Sequence, residues 1–161
     1  MNPSKITVRS IRLDDFAFIR DLSAAQANFT IPPPYVLWLL LRISPDLCLI
    51  AEHPEKGPLA YLLAMPVSNP PESVYVWQLA GSSTENSEDA ITELVQSLRA
   101  IVKRRRFKKL IFSAQQNTPT FRVLSRYVRR EVAADPECVG PLPELVAPNE
   151  QEFWVEIPRD L

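Results

Sequence analysis

One stretch, Val74 to Leu98, holds the strongest candidate for a binding site. Its first part, VYVWQLA (Val74 to Ala80), is apolar, β-branched and aromatic, the composition of a buried strand. Its last part, AITELVQSL, sets Ile91, Leu94, Val95 and Leu98 at helical spacing. Between them lies a short polar turn, GSSTENSED, from Gly81 to Asp89. A strand that feeds a helix through such a turn makes a pocket for anions, because the unpaired N–H groups of the first helical turn converge there. This turn also carries Glu85, Glu88 and Asp89. Acidic side chains suit a helix start, with Ser87 as a candidate cap. Against a bound polyanion they are the wrong sign, and two like charges at about 4 Å cost roughly 1 to 4 kcal/mol at partly exposed sites.

The other candidates are scattered. Glu52 closes an apolar strand and could act as a general base through water; the plain alternative is a solvated carboxylate. His53 is the single histidine and reads as an exposed hairpin residue, and no His/Cys cluster has zinc spacing. The chain has no Gly-x-Ser-x-Gly elbow, no Walker loop and no dinucleotide fingerprint. The block KRRRFKK (Lys103 to Lys109) reads as a helix C-terminus, where cations complement the dipole and Phe107 folds back onto the core. Arg122, Arg126 and Arg129 share one helix face. They could meet an acidic protein partner, the 3′-phosphate of a coenzyme, or a nucleic-acid backbone; the lack of interleaved aromatics argues against RNA. Trp38 follows IPPP in a short apolar helix and reads as core, or with Phe29 and Tyr35 as the lining of a pocket or interface.

With 161 residues and 46% hydrophobic content, residues 1–161 are expected to form one domain with a real core. A net charge of −1 sets up no global field toward nucleic acid or membrane. The N-terminus has no secretory pattern and the longest apolar run is far too short to span a bilayer, so a cytoplasmic protein with reduced thiols is expected. Cys48 reads as a small buried hydrophobe. Strands are expected at Lys5 to Arg12, Leu47 to Glu52, Leu59 to Val67, Val74 to Ala80, Lys109 to Ala114 and Glu152 to Ile157. Helices are expected at Phe16 to Ala27, Tyr35 to Ile43, Glu88 to Arg105 and Thr118 to Arg130, with a Pro-rich connector from Ala133 to Asn149. The order β-α-α-β-β-β-α-β-α-β suits an α/β fold, one mixed sheet with helices on both faces.

This order, with the residues above, resembles the GCN5-related N-acetyltransferase (GNAT) family. Tyr35 to Leu41, Ala51-Glu52, Gly57 and Val76-Trp77-Gln78 look like the core of diaminobutyrate acetyltransferases within it. The resemblance implies an acetyl-coenzyme A site. Backbone N–H groups of Leu79 and Gly81 would face the thioester or pantetheine, and Asn117, with Thr120 after it, would orient the coenzyme. The family's Arg/Gln-x-x-Gly-x-Gly/Ala loop falls at Asn86 to Ala90, where Ser87 and Asp89 replace glycines. The family's acid, a tyrosine seven residues after the Asn, falls on Leu124; Tyr127 is the substitute one turn on. With only three glycines against sixteen prolines in the whole chain, the loop lacks the residue that lets backbone approach phosphate. The expectation is a GNAT-fold chain that binds no cofactor and serves as a protein-binding or regulatory module. The alternative is an active enzyme moving an acetyl group from acetyl-coenzyme A to a small amine or amino acid.

Overall fold

A computed structural model describes residues 5–26, 29–131 and 150–157, with backbone alone for 128–131 and 150–152. The expected Pro-rich connector and Cys138 lie outside the described residues. The elements follow the expected order: β1 (Thr7–Ser10), α1 (Phe16–Ala24), α2 (Pro34–Ile43), β2 (Cys48–His53), β3 (Gly57–Val67), β4 (Ser73–Gly81), α3 (Ser87–Arg104), β5 (Lys109–Gln115), α4 (Pro119–Glu131) and β6 (Glu150–Glu156). Short 3₁₀ turns precede α1 and β2.

The strands form one sheet in sequence order, β1-β2-β3-β4-β5-β6. Every neighbouring pair is antiparallel except β4 and β5, which run parallel and are joined through α3. A parallel pair needs such a crossover, because a tight turn reverses the chain. Helices cover both faces, as the strand-and-helix order requires. On one face α3 and α4 press Ile91, Leu94, Val95, Leu98, Val123 and Leu124 onto Leu49, Leu62, Val74, Val76 and Phe112. On the other, α1 and α2 press Ile19, Leu22, Leu37 and Leu40 onto Ile50, Tyr61 and Leu63. Cys48 is fully buried there, and burial pushes its thiol up to about 11.

The helix α3 ends as the KRRRFKK block suggested. Arg106 takes φ 62, its N–H reaches the Lys103 carbonyl at 3.0 Å, and the Phe107 N–H reaches Val102 at 3.0 Å. This closes the helix in a Schellman turn with Phe107 packed on the core. Arg105 pairs with Asp46 at 2.8 Å, Lys108 with Glu72, and Lys109 with Glu156 at 3.5 Å.

Two details differ from the sequence expectation. The helix α1 stops at Ala24, where the N–H groups of Ala25 and Gln26 close tight turns on Asp21 and Ser23. In α2 the core-facing residues are Leu37 and Leu40, so Tyr35 and Trp38 point outward and are 69% and 39% exposed. Ten residues of almost unbroken hydrophobicity gave no polar face to fix which stripe turns inward.

One irregularity shapes the sheet. In β4, Leu63 faces Gln78 but Ala64 faces Val76, so Trp77 is an extra residue, a β-bulge. The bulge lets Trp77 and Gln78 both turn to the α1/α2 side. There the buried Gln78 accepts from the Tyr61 hydroxyl at 2.8 Å and donates to the Thr30 carbonyl at 2.7 Å. The pair ties the chain between α1 and α2 to the sheet, and burial raises the Tyr61 hydroxyl above its ordinary pKa. Replacing Gln78 by Leu would leave a buried hydroxyl and a carbonyl short of a partner. Urea unfolding should then show a loss of about 1–3 kcal/mol with an unchanged m value.

Candidate functional site

The site begins where β4 and β5 part. Their parallel pairing covers Ser73–Val76 against Lys109–Phe112 and then stops, although both strands continue, to Gly81 and Gln115. Beyond that point β4 has lost a neighbour, and its backbone needs other partners. Thr120, buried in the first turn of α4, supplies one: its hydroxyl donates to the Leu79 carbonyl at 3.0 Å. The start of α4 is itself fixed by Thr118, whose hydroxyl accepts from the Phe121 N–H at 3.1 Å and donates to the Gln115 carbonyl at 2.7 Å. Pro119 follows in the first helical position, where its missing N–H is harmless.

A cavity of about 460 Å³ opens at these strand ends. Phe18, Asp21, Leu22, Ala25 and Gln26 line it from α1 and the turn after it, Gly81, Ser82 and Ser83 from the end of β4, and Pro119 from α4. It is predominantly apolar, and among the described residues Asp21 is its ionisable lining group, paired with Arg20 at 3.0 Å. No pattern along the sequence marked it, because its walls come from three segments far apart in the chain.

The turn into α3 is packed rather than open. A Cβ on Gly81 would stand 2.8 Å from Ile91 Cδ1 and 3.2 Å from Ser87 Cβ. Glycine therefore lets α3 lie against the strand end, and Ser87 is buried by that contact. The Ser87 N–H is taken by the Thr84 carbonyl at 3.1 Å and the Ser82 N–H by Leu59 at 2.8 Å. Lys56, from the β2–β3 turn, donates to Asn86 Oδ1 at 2.8 Å.

The charge expectation for this turn is corrected at Glu88. Its carboxylate is drawn onto α4, where Arg122 Nε donates to Oε1 at 2.8 Å and an Arg126 terminal nitrogen donates to Oε2. The two guanidinium groups hold Glu88 below its ordinary pKa. Both guanidinium groups thus sit on Glu88, and the Lys56 ammonium sits on the neighbouring Asn86, so the turn brings cations together as well as acids.

The remaining sequence candidates separate. Leu79 and Gly81 do end β4 beside the cavity and the gap. Asp89 is exposed on the first turn of α3. Asn117 is exposed in the β5–α4 turn at φ 65, a left-handed conformation that asparagine tolerates better than most residues. Tyr127 belongs to the core: its hydroxyl is buried without a hydrogen-bond partner among the described residues, and burial raises its pKa. A group so enclosed cannot hand a proton into the cavity, so the sequence suggestion of Tyr127 as an acid is withdrawn. Glu52 pairs with Arg9 at 3.2 Å on β2, two strands from β4, and does not line the cavity. Arg9 also grips Asp15 through two bonds of 2.8 and 2.9 Å. Trp38 stacks on Tyr35 at 5.7 Å with Arg42 over its ring, on the outer face of α2. The side chain of Arg129 lies outside the described residues. Among the described residues no three metal-ligating side chains come together, and no helix is long and apolar enough to cross a membrane.

No family model matches the chain, and no curated protein matches it. Solved structures do. Ard1 from Thermoplasma volcanium superposes with a TM-score of 0.75 at 9% identity, over 96% of this chain and 99% of that one. The ribosomal-protein-S18-alanine N-acetyltransferase of Escherichia coli gives 0.67 at 8% identity, over 96% of each chain. Diaminobutyrate acetyltransferase from Paenibacillus lautus, solved with its diamino acid substrate and coenzyme A, gives 0.58 at 19% identity, over 79% and 76%. At these identities the likeness establishes the fold, which is the GNAT fold expected from the element order.

Gly81→Ala should lower stability by about 1–3 kcal/mol, since Ile91 has no exposed space into which to retreat; a melting curve equal to that of the parent chain would contradict the packing described. Asp15 is held below the usual carboxylate range, chiefly by its bonds from Arg9. A depressed folded pKa stabilises fully above the unfolded value of about 4 and is lost as pH falls through the folded value. Melting temperatures measured between neutral pH and acid should fall less steeply for Asp15→Asn than for the parent chain.

Proposed function

We propose that this chain is an acetyl-coenzyme A-dependent N-acetyltransferase whose acceptor is a primary amine. The observation that carries the reading is the cavity walled by Gly81 at the end of β4, by α1 and by Pro119 at the start of α4, beyond the point where β4 and β5 stop pairing. The residues there are compatible with the coenzyme: an apolar lining, a glycine-tight strand end, and cations at Lys56, Arg122 and Arg126 near the start of α3. Bound acetyl-coenzyme A would supply the activated acyl group. The chain's contribution is then positioning and electrostatics. Among the described residues Asp21 is the ionisable side chain of the cavity wall; its carboxylate accepts from Arg20 Nε at 3.0 Å on the exposed face of α1, and an acceptor in its ammonium form would compete with that exposed pair for it. With Tyr127 enclosed in the core and Glu52 bound to Arg9, protons would pass to and from solvent at the cavity mouth. Nothing in the cavity wall names the acceptor beyond a preference for a cation.

A second reading keeps the fold without the coenzyme, as a protein-binding or regulatory module. It is favoured by the packing of Ser87 and Ile91 against Gly81, which fills part of the space that glycines leave open, and by the outward-facing Tyr35 and Trp38. Isothermal titration calorimetry separates the two. The enzyme reading expects acetyl-coenzyme A to bind with a dissociation constant of about 10–300 μM, in the ordinary range for an enzyme's substrate. It also expects amines to be acetylated, and Asp21→Asn to raise KM for a diamine by about tenfold with little change in kcat. No heat and no thermal shift at millimolar coenzyme would defeat the enzyme reading.

A further inference from the structure

We infer that Arg122 and Arg126 form a binding site for a phosphate group, and that the Glu88 carboxylate is the chain's own occupant of it. The inference deepens the reading above by naming the residues that would receive a phosphate of the coenzyme, and it rests on that reading for the identity of the ligand alone.

The geometry is that of an anion receptor. The arginines stand one turn apart on α4, where like charges at this spacing repel. Both turn to the same carboxylate, one to each oxygen. The Arg126 Nε also donates to the Arg122 carbonyl at 3.3 Å, which fixes its guanidinium over the preceding turn. Paired guanidinium donors match phosphate oxygens at least as well as they match a carboxylate, and a phosphate dianion carries more charge for them to meet. The receptor is accessible, because the side chains of Arg122 and Arg126 are 51% and 55% exposed. It also stands beside the first turn of α3, where the dipole favours negative charge.

Glu88 can leave without disturbing the helix. Its backbone carbonyl is held separately by the Thr92 hydroxyl at 2.8 Å, so only the side chain needs to rotate. An exposed pair of this kind contributes little to stability, and its loss is a small barrier to an incoming anion. Glu88 would therefore lower the affinity of the arginine pair for phosphate by competition, so that a ligand must bring enough charge to displace it.

Calorimetry on the full chain and on Glu88→Gln tests this, with inorganic phosphate and adenosine 3′,5′-bisphosphate as probes. Removing the internal anion should tighten the bisphosphate by about fivefold and steepen its dependence on salt. Adding Arg122→Gln and Arg126→Gln to Glu88→Gln should abolish that gain. Equal tightening of both probes marks a site for free phosphate, and tightening of the nucleotide alone marks a coenzyme site; both support the receptor. Equal or weaker binding of both probes by Glu88→Gln, with an unchanged melting curve, would overturn it, and so would a gain that survives loss of the arginines. Acetyl transfer by the parent chain is scored separately. A receptor without acetyl transfer sinks the enzyme reading alone, and acetyl transfer with no effect of Glu88→Gln sinks the receptor alone.

Discussion

The parting of β4 from β5 governs the rest of the molecule. While the two strands are paired, from Ser73 to Val76 and Lys109 to Phe112, the sheet is an ordinary closed surface. Where they diverge, backbone groups in the middle of the protein lose a ladder partner, and an unmade buried hydrogen bond costs on the order of 1–3 kcal/mol. The Thr120 hydroxyl meets this demand at Leu79 and in doing so docks the start of α4 beside the gap. Thr118 and Pro119 set where that helix begins, so the turn chemistry after β5 fixes the position of one wall of the cavity. The bulge at Trp77 acts on the other side of the same strand, turning Gln78 toward Thr30 and anchoring the chain after α1. Cavity, helix start and α1–α2 connection all follow from how one strand end is satisfied.

Charge around the start of α3 is arranged by the same packing. The helix α3 lies close to β4 because Gly81 has no side chain, and α4 lies close because Thr120 reaches β4. Their proximity brings Glu88 within reach of Arg122 and Arg126, residues 34 and 38 positions away. These exposed pairs are a minor source of stability. Their importance is that they add two cations to the field an incoming anion meets beside the acids of that turn.

Most of the architecture was legible along the chain. The apolar run of VYVWQLA and the helical spacing of Ile91, Leu94, Val95 and Leu98 describe local patterns that survive folding. The C-terminal cap of α3 was legible for the same reason, since Arg106 and Phe107 close on carbonyls within five residues. The orientation of α2 was not. A helix nearly apolar all round has no intrinsic inside, and Trp38 faces out because Leu37 and Leu40 fit the surface offered by Ile50 and Tyr61. Tyr127 was misjudged for a related reason. Spacing placed it on α4, but only packing against the core could reveal that its hydroxyl is enclosed.

The amino-acid order alone specified the succession of strands and helices, and with it a mixed sheet layered between helices, because hydrophobic period, caps and turn residues are properties of neighbours in the chain; the GNAT fold was what the family resemblance implied. It also specified that Ser87 and Asp89 stand where the family's loop carries glycines. Folding settled the rest: where β4 leaves β5, which side chains wall the cavity, and which cations answer Glu88. Those depend on groups dozens of residues apart arriving within 3 Å of one another, and no local pattern encodes such a meeting.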